Sequence, residues 1–181
     1  MMEQAVLWTW IPSPGFDYCE WKMDCLQGHI IAYYQSSPIF VSYVVEWTDN
    51  EGASAAWVSC RNTEIRKNLH LKRGTRGQWW RENSLLPQFE GLADIDLGIS
   101  PATNTLPLRR LSLAVGQKAE LTALWVRFPD LSLARLNQRY TRLRRDTYLY
   151  ESLESGYTAE LRVDENFRVI TYGDVWKRVG L

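Results

Sequence analysis

The stretch Tyr157–Asp164, YTAELRVD, sorts itself into two faces. Tyr157, Ala159, Leu161 and Val163 fall on one side, and Thr158, Glu160, Arg162 and Asp164 on the other. Successive side chains of a strand point to opposite faces, so this period of two predicts a half-buried antiparallel strand. The pattern recurs. In Cys19–Cys25, CEWKMDC, the residues Cys19, Trp21, Met23 and Cys25 oppose Glu20, Lys22 and Asp24. In Ile65–Arg73, IRKNLHLKR, Ile65, Leu69 and Leu71 oppose Arg66, Asn68, His70 and Lys72.

Between these segments lie IIAYYQ, IFVSYVVEW, AAWVSC and ELTALWVRF, which are apolar on both faces or nearly so. Such strands are expected to lie deeper, or to carry one face on the core and the other on a ligand or a second layer. Turn-forming clusters separate the runs, among them Pro12-Ser13-Pro14-Gly15, Asp49-Asn50-Glu51-Gly52 and Glu154-Ser155-Gly156. Strands with turns at such intervals indicate an all-β, mainly antiparallel sandwich or barrel, and no alternation of strands with helices is visible. One segment is ambiguous. LSLARLNQRYTRLRRD spaces Leu133, Leu136, Tyr140 and Leu143 as a helix would, but the strand-like DTYLYES follows with no helix stop between, so a strand hairpin is expected. Residues 55–80 and 157–176 each read as alternating strands ending in a turn and a tryptophan, an internal echo that a duplicated meander would explain.

A chain of 181 residues is most simply one domain, 1–181, able to bury a core without disulfide or metal staples. Its formal net charge of zero argues against a general nucleic-acid binder, whose affinity rests on neutralising phosphates. The N-terminus lacks the cationic and apolar pattern of a secretory signal. No apolar run approaches the roughly 20 residues that span a bilayer, so a cytoplasmic protein with no integral membrane segment is expected. Cys19, Cys25 and Cys60 form no CxxC pair and are expected as reduced thiols. With only His29 and His70 beside them, neither a metal site nor a cofactor is expected. The arginine run at 135, 139, 142, 144 and 145 reads as cross-strand charge pairing, with an anion-binding patch as the competing reading.

Two features could carry function. The first is nine tryptophans, whose large faces suit either a core or the wall of a sugar or lipid pocket. Trp79 and Trp80 are adjacent, so one of them should face the core and the other a cavity or solvent. The second is Asp94–Leu111, DIDLGISPATNTLPLRRL. Asp94 and Asp96 share a strand face at about 6.6 Å, a separation that would suit the acid and base of inverting glycoside hydrolysis. The competing reading pairs them with Arg109 and Arg110 or with turn amides. No nucleophile or nucleotide-binding motif accompanies them.

That same run, with the upstream GQWW, the later ALWVRFPDLSL and NQRYTRL, and the closing YGDVWKRV, resembles the bacterial family described as putative glycolipid-binding, formerly a domain of unknown function. The resemblance extends from about Cys19 to Val179. It implies a many-stranded split or half barrel with one short helix, similar to bacterial lipoprotein carriers that hold acyl chains in a concave sheet. The chain departs from its relatives at Ala93, where a cysteine is common, so a thiol there is not essential.

The expectation is therefore a protein that cups a lipid-like or glycolipid-like molecule in the concave face of a curved sheet. The candidate contacts are Trp79, Trp80 and Trp125, whose faces would stack on sugar rings, then Tyr140 and Asn104, and lastly Arg109 and Arg110, which would meet anionic head groups. The alternative is an enzyme acting on a sugar-containing substrate through Asp94 and Asp96. Within the DIDLGISP run, Asn104 or Thr105 is expected to cap a short helix, and Arg109 and Arg110 to clamp both aspartates.

Overall fold

The computed structural model describes residues 4–48 and 52–180. The expected turn at Asp49-Asn50-Glu51 lies outside the described residues. In chain order the strands are β1 (Gln4–Trp10), β2 (Gly15–Trp21), β3 (Cys25–Tyr34), β4 (Ser37–Thr48), β5 (Gly52–Arg61), β6 (Arg66–Arg73), β7 (Trp79–Arg81), β8 (Ser84–Leu86), β9 (Asp94–Leu97), β10 (Lys118–Arg127), β11 (Ser132–Arg144), β12 (Thr147–Ser152), β13 (Thr158–Val163), β14 (Val169–Tyr172) and β15 (Trp176–Arg178). One helix, α1 (Thr105–Leu111), follows a 3-10 turn at Ala102–Asn104.

All fifteen strands form one sheet in the order β8-β7-β6-β5-β4-β3-β2-β1-β15-β14-β13-β12-β11-β10-β9. Every pairing is antiparallel except β9 with β10. The chain thus builds two meanders, β1–β8 and β9–β15, and joins them where β1 pairs with β15. The sheet does not close into a barrel. It must nevertheless curl. β8 and β9 sit at opposite edges, which would lie about 67 Å apart in a flat sheet with strands about 4.8 Å apart. Residues 87–93 link them, and even fully extended they bridge only about 29 Å. The link passes across the end of β5, where the Ala53 amide donates to the Ala93 carbonyl at 2.7 Å. The result is the split or half barrel implied by the resemblance.

The alternation read from the sequence sets the inner face. In β4, Val41, Tyr43, Val45 and Trp47 are buried, while Phe40, Ser42, Val44 and Glu46 are half-buried on the other side. In β13, Ala159, Leu161 and Val163 are buried. The segment 132–152 is a strand hairpin, β11–β12, as expected. Two expectations need correction. CEWKMDC is not one strand: β2 ends at Trp21, β3 begins at Cys25, and the Lys22 amide closes the turn on the Cys25 carbonyl at 2.8 Å. The period of two runs unbroken through a turn this tight, so the pattern hides it. The doubly apolar strands β3–β5 have no second layer outside them among the described residues. Their outer positions Ile31, Tyr33 and Trp57 are exposed. The cross-strand charge pairing expected of the arginine run is present at Arg139, which bridges Glu120 of β10 and Glu151 of β12. Both segments of the proposed echo, β5–β7 and β13–β15, are three-stranded meanders whose last strand carries a buried tryptophan, Trp79 and Trp176.

Two apolar clusters fill the interior. The larger lines the inner face of β1–β7, includes Trp8, Trp21, Trp47 and Trp79 together with Ile95, Leu97 and Leu106, and reaches Leu124, Val126, Val169 and Trp176 of the second meander. The smaller joins Leu108 and Leu113 to Tyr140, Tyr148, Tyr150, Leu161 and Val163. The DIDLGISPATNTLPLRRL run lies between them, and residues 101–108 are all buried.

Candidate functional site

A buried loop must satisfy its own backbone, and the S-P-A-T-N-T chemistry does so. The Ser100 hydroxyl accepts from the Ala102 amide at 3.1 Å, and the Thr103 hydroxyl from the Leu97 amide at 3.3 Å. The expected cap does not form. α1 grows out of the preceding 3-10 turn, so the Asn104 and Thr105 amides already bond the carbonyls of residues 101–103, and no side chain is needed there. Asn104 instead accepts from the Tyr140 hydroxyl at 2.8 Å and donates to the Pro101 carbonyl. Ser112, at φ +45°, ends the helix in the left-handed region.

The two aspartates part ways. Asp94 is buried and held by Arg110, through Nε at 3.4 Å and through a short contact from Nη2. Burial still pushes its carboxyl above the usual range, with the guanidinium opposing. Asp96 has no arginine. Its Oδ2 accepts from the Gln138 side-chain amide at 2.5 Å, and burial raises its pKa to about 6. The expected double clamp is therefore single, and Asp96 is left facing a cavity.

That cavity, about 420 Å³, lies on the inner side of β9–β15. Trp125, Tyr150, Tyr157, Tyr172 and Trp176 give it aromatic walls, and Leu97, Leu136 and Val175 add apolar surface. Asp96, Ser100, Asn104 and Ser152 supply polar groups, with Arg135 and Glu154 also in the lining. The tyrosines form one cluster: Tyr150 meets Tyr140 at 5.4 Å and Tyr172 at 5.7 Å, both edge to face. Burial pushes the Tyr140, Tyr150 and Tyr172 phenols well up, so they stay neutral hydrogen-bonding groups. Trp125 packs its indole against Gly98, where any side chain would collide with Nε1, and that N–H is buried with no partner among the described residues.

Of the candidate contacts, Trp125 and Asn104 line the cavity, and Tyr140 stands directly behind Asn104. Trp79 is fully buried, with its indole N–H on the Leu92 carbonyl at 2.9 Å. Trp80 is exposed on the opposite side, as adjacency on a strand requires. Arg109 and Arg110 line a separate recess with Trp47 and Leu106.

The sequence reading missed Asp17 and Gln138. Asp17 is fully buried in β2, where it accepts from Tyr43 at 2.8 Å and from Ser100 at 2.5 Å. Gly28 makes room for this, since a side chain there would overlap the Tyr43 ring. Desolvation raises the Asp17 pKa to about 7 against both hydrogen bonds. Its network thus ties the first meander to Ser100 on the cavity wall. Gln138 bridges Asp96 and the Tyr150 hydroxyl, the latter at 3.2 Å. Both residues occupy inward positions of alternating strands, and a polar residue on an apolar face was the available signal.

A sequence model of the family described as "Putative glycolipid-binding" matches residues 5–178. The crystal structure of a DUF1089-family protein from Pseudomonas aeruginosa is 35% identical to this chain and superposes with a TM-score of 0.87, covering 93% of this chain and 94% of that one. No curated protein matches the chain.

Proposed function

Because the chain belongs to the family described as "Putative glycolipid-binding", we propose that it binds an amphipathic, glycolipid-like molecule in the cavity of the β9–β15 meander and performs no chemistry on it. The observation that carries this reading is the cavity itself, about 420 Å³, walled by two tryptophans and three tyrosines with polar groups gathered near the S-P-A-T-N-T segment. Its volume falls within the range of about 300–1,000 Å³ usual for small-molecule sites. Ring faces suit the apolar faces of sugars and alkyl chains alike, and each methylene buried there would contribute about 0.8 kcal/mol. The division of the aspartates favours binding over hydrolysis: Asp94 is bonded to Arg110 and is absent from the cavity lining, so it does not flank a substrate bound beside Asp96.

The test is native mass spectrometry of the purified protein with a panel of short-chain alkyl glycosides, alongside Ser155→Trp. Ser155 is an exposed turn residue in the cavity lining, so the indole would block entry, and Ser155→Ala controls for the loss of its hydroxyl bonds to Ser152 and the Tyr157 amide. Adducts on the wild-type chain that disappear in Ser155→Trp support the reading. Equal adducts on both chains, or none on either, refute it.

A further inference from the structure

We infer that the polar end of the cavity, at Asp96, accepts a cationic head group, an ammonium such as that of an amino sugar, and disfavours a phosphate or sulfate. This rests on the reading that an amphipathic molecule occupies the cavity, and it adds the chemistry of that molecule's polar end.

The first support is an unspent acceptor. Asp96 Oδ2 takes the Gln138 amide at 2.5 Å, whereas Oδ1 has no hydrogen-bond partner among the described residues, and the side chain is open to the cavity. Gln138 cannot serve a ligand in its place. Its amide donates to both Asp96 and Tyr150, and its carbonyl lies 3.5 Å from the Tyr140 hydroxyl.

The second support is the balance of charge. The ionisable carboxylates and guanidinium in the lining are Asp96, Glu154 and Arg135. Arg135 already donates to the Gln88 carbonyl at 2.7 Å, and Glu154 accepts from the Asn137 side chain at 2.6 Å. Carboxylates therefore outnumber cations, and Asp17 adds a further carboxyl behind Ser100. Arg109 and Arg110, which a sequence reading would assign to an anionic head group, face the other recess, and Arg110 is bonded to Asp94. An anion entering beside Asp96 would be desolvated next to like charge, whereas the guanidinium in the lining, Arg135, is an exposed side chain.

The third support is the walls. Trp125, Tyr150, Tyr157, Tyr172 and Trp176 surround the same space, and the negative faces of such rings attract an ammonium, most strongly once it has left water. The groups facing Asp96 are Gln138 and Tyr140 from β11, Tyr150 from β12 and Tyr172 from β14, with Trp125 as its register partner on β10. All are neutral at ordinary pH. Asp94 lies two residues away with its charge met by Arg110, and Arg135 and Glu154 complete the charged groups lining the space. Asp96 is thus the group near the head-group position whose charge changes near pH 6. Because the ammonium binds the ionised form, its affinity should fall as pH drops through that value.

The experiment is calorimetric titration with three probes sharing one alkyl chain: octyl glucoside, its 2-amino-2-deoxy counterpart, and its 6-phosphate. At about pH 7.5 the amine should bind at least about tenfold more tightly than the neutral glucoside, and the phosphate most weakly. The amine's advantage should vanish at about pH 5 and in Asp96→Asn at either pH. A far-UV circular dichroism spectrum of Asp96→Asn matching that of the wild-type chain shows that the variant is folded. Equal affinity for amine and glucoside at the higher pH, tightest binding of the phosphate, or an amine preference that survives Asp96→Asn overturns the inference while leaving the cavity reading standing. Failure of all three probes to bind removes the cavity reading and the inference with it.

Discussion

The two meanders are built alike and filled differently. In β1–β8 the concave side is closed by Trp8, Trp21, Trp47 and Trp79, packed among Leu26, Ile30, Val41 and Leu71. The indole N–H groups of Trp8 and Trp79 are satisfied by backbone carbonyls at 2.8 and 2.9 Å. In β9–β15 the concave side is lined by tyrosines, whose hydroxyls face Asn104, Gln138 and one another around open space. The same curved sheet thus gives a solid core in one half and, beside a smaller packed cluster, a chamber in the other. Interiors pack as densely as organic crystals, so an aromatic cavity of this size departs from the norm for a core and points to use.

The largest effect should separate the halves outright. Trp79→Ala removes a fully buried ring and strands the Leu92 carbonyl, so chemical denaturation should report a loss of about 3–5 kcal/mol. Tyr157→Phe, on the cavity wall and half open to solvent, should change stability by less than about 0.5 kcal/mol. Comparable losses from the two would show that the second meander is as tightly filled as the first.

A smaller effect concerns the buried carboxyl that links the halves. Burial raises the Asp17 pKa to about 7, above its unfolded value, so the folded chain favours the protonated form. Its contribution is fully present below about pH 4 and is lost as pH rises through about 7. Asp96, raised to about 6, acts with the same sign. Thermal melts between about pH 4 and 8 should therefore show stability falling with rising pH, and Asp17→Asn should flatten the upper part of that slope. An unchanged slope in the variant would place the pH dependence elsewhere.

Much of the fold was legible because one physical rule governs it. Period-two alternation in YTAELRVD and IRKNLHLKR marks strands, and β11–β12 read as a hairpin despite a competing helical spacing. Where the rule fails, it fails for a reason. Alternation runs straight through the tight turn at Lys22–Asp24, and nothing local says that β1 pairs with β15 or that β9 runs parallel to β10. The site was legible only in part. The D-x-D run stood out, but its division into a salt-bridged Asp94 and a cavity-facing Asp96 depends on partners sixteen and forty-two residues away, Arg110 and Gln138. Asp17 was readable in principle. It shares an inward face with Cys19 and Trp21, and a carboxylate on an apolar strand face is costly unless it is bonded.

Under the proposed function, ligand enters the hollow meander and not the exposed aromatic outer face of β3–β7. Titration of the labelled protein with a short-chain alkyl glycoside, followed by NMR of the indole N–H signals, tests it directly. Shifts are expected at Trp125 and Trp176, with Trp57 and Trp80 unmoved. Shifts at Trp57 or Trp80 with Trp125 and Trp176 silent would contradict it.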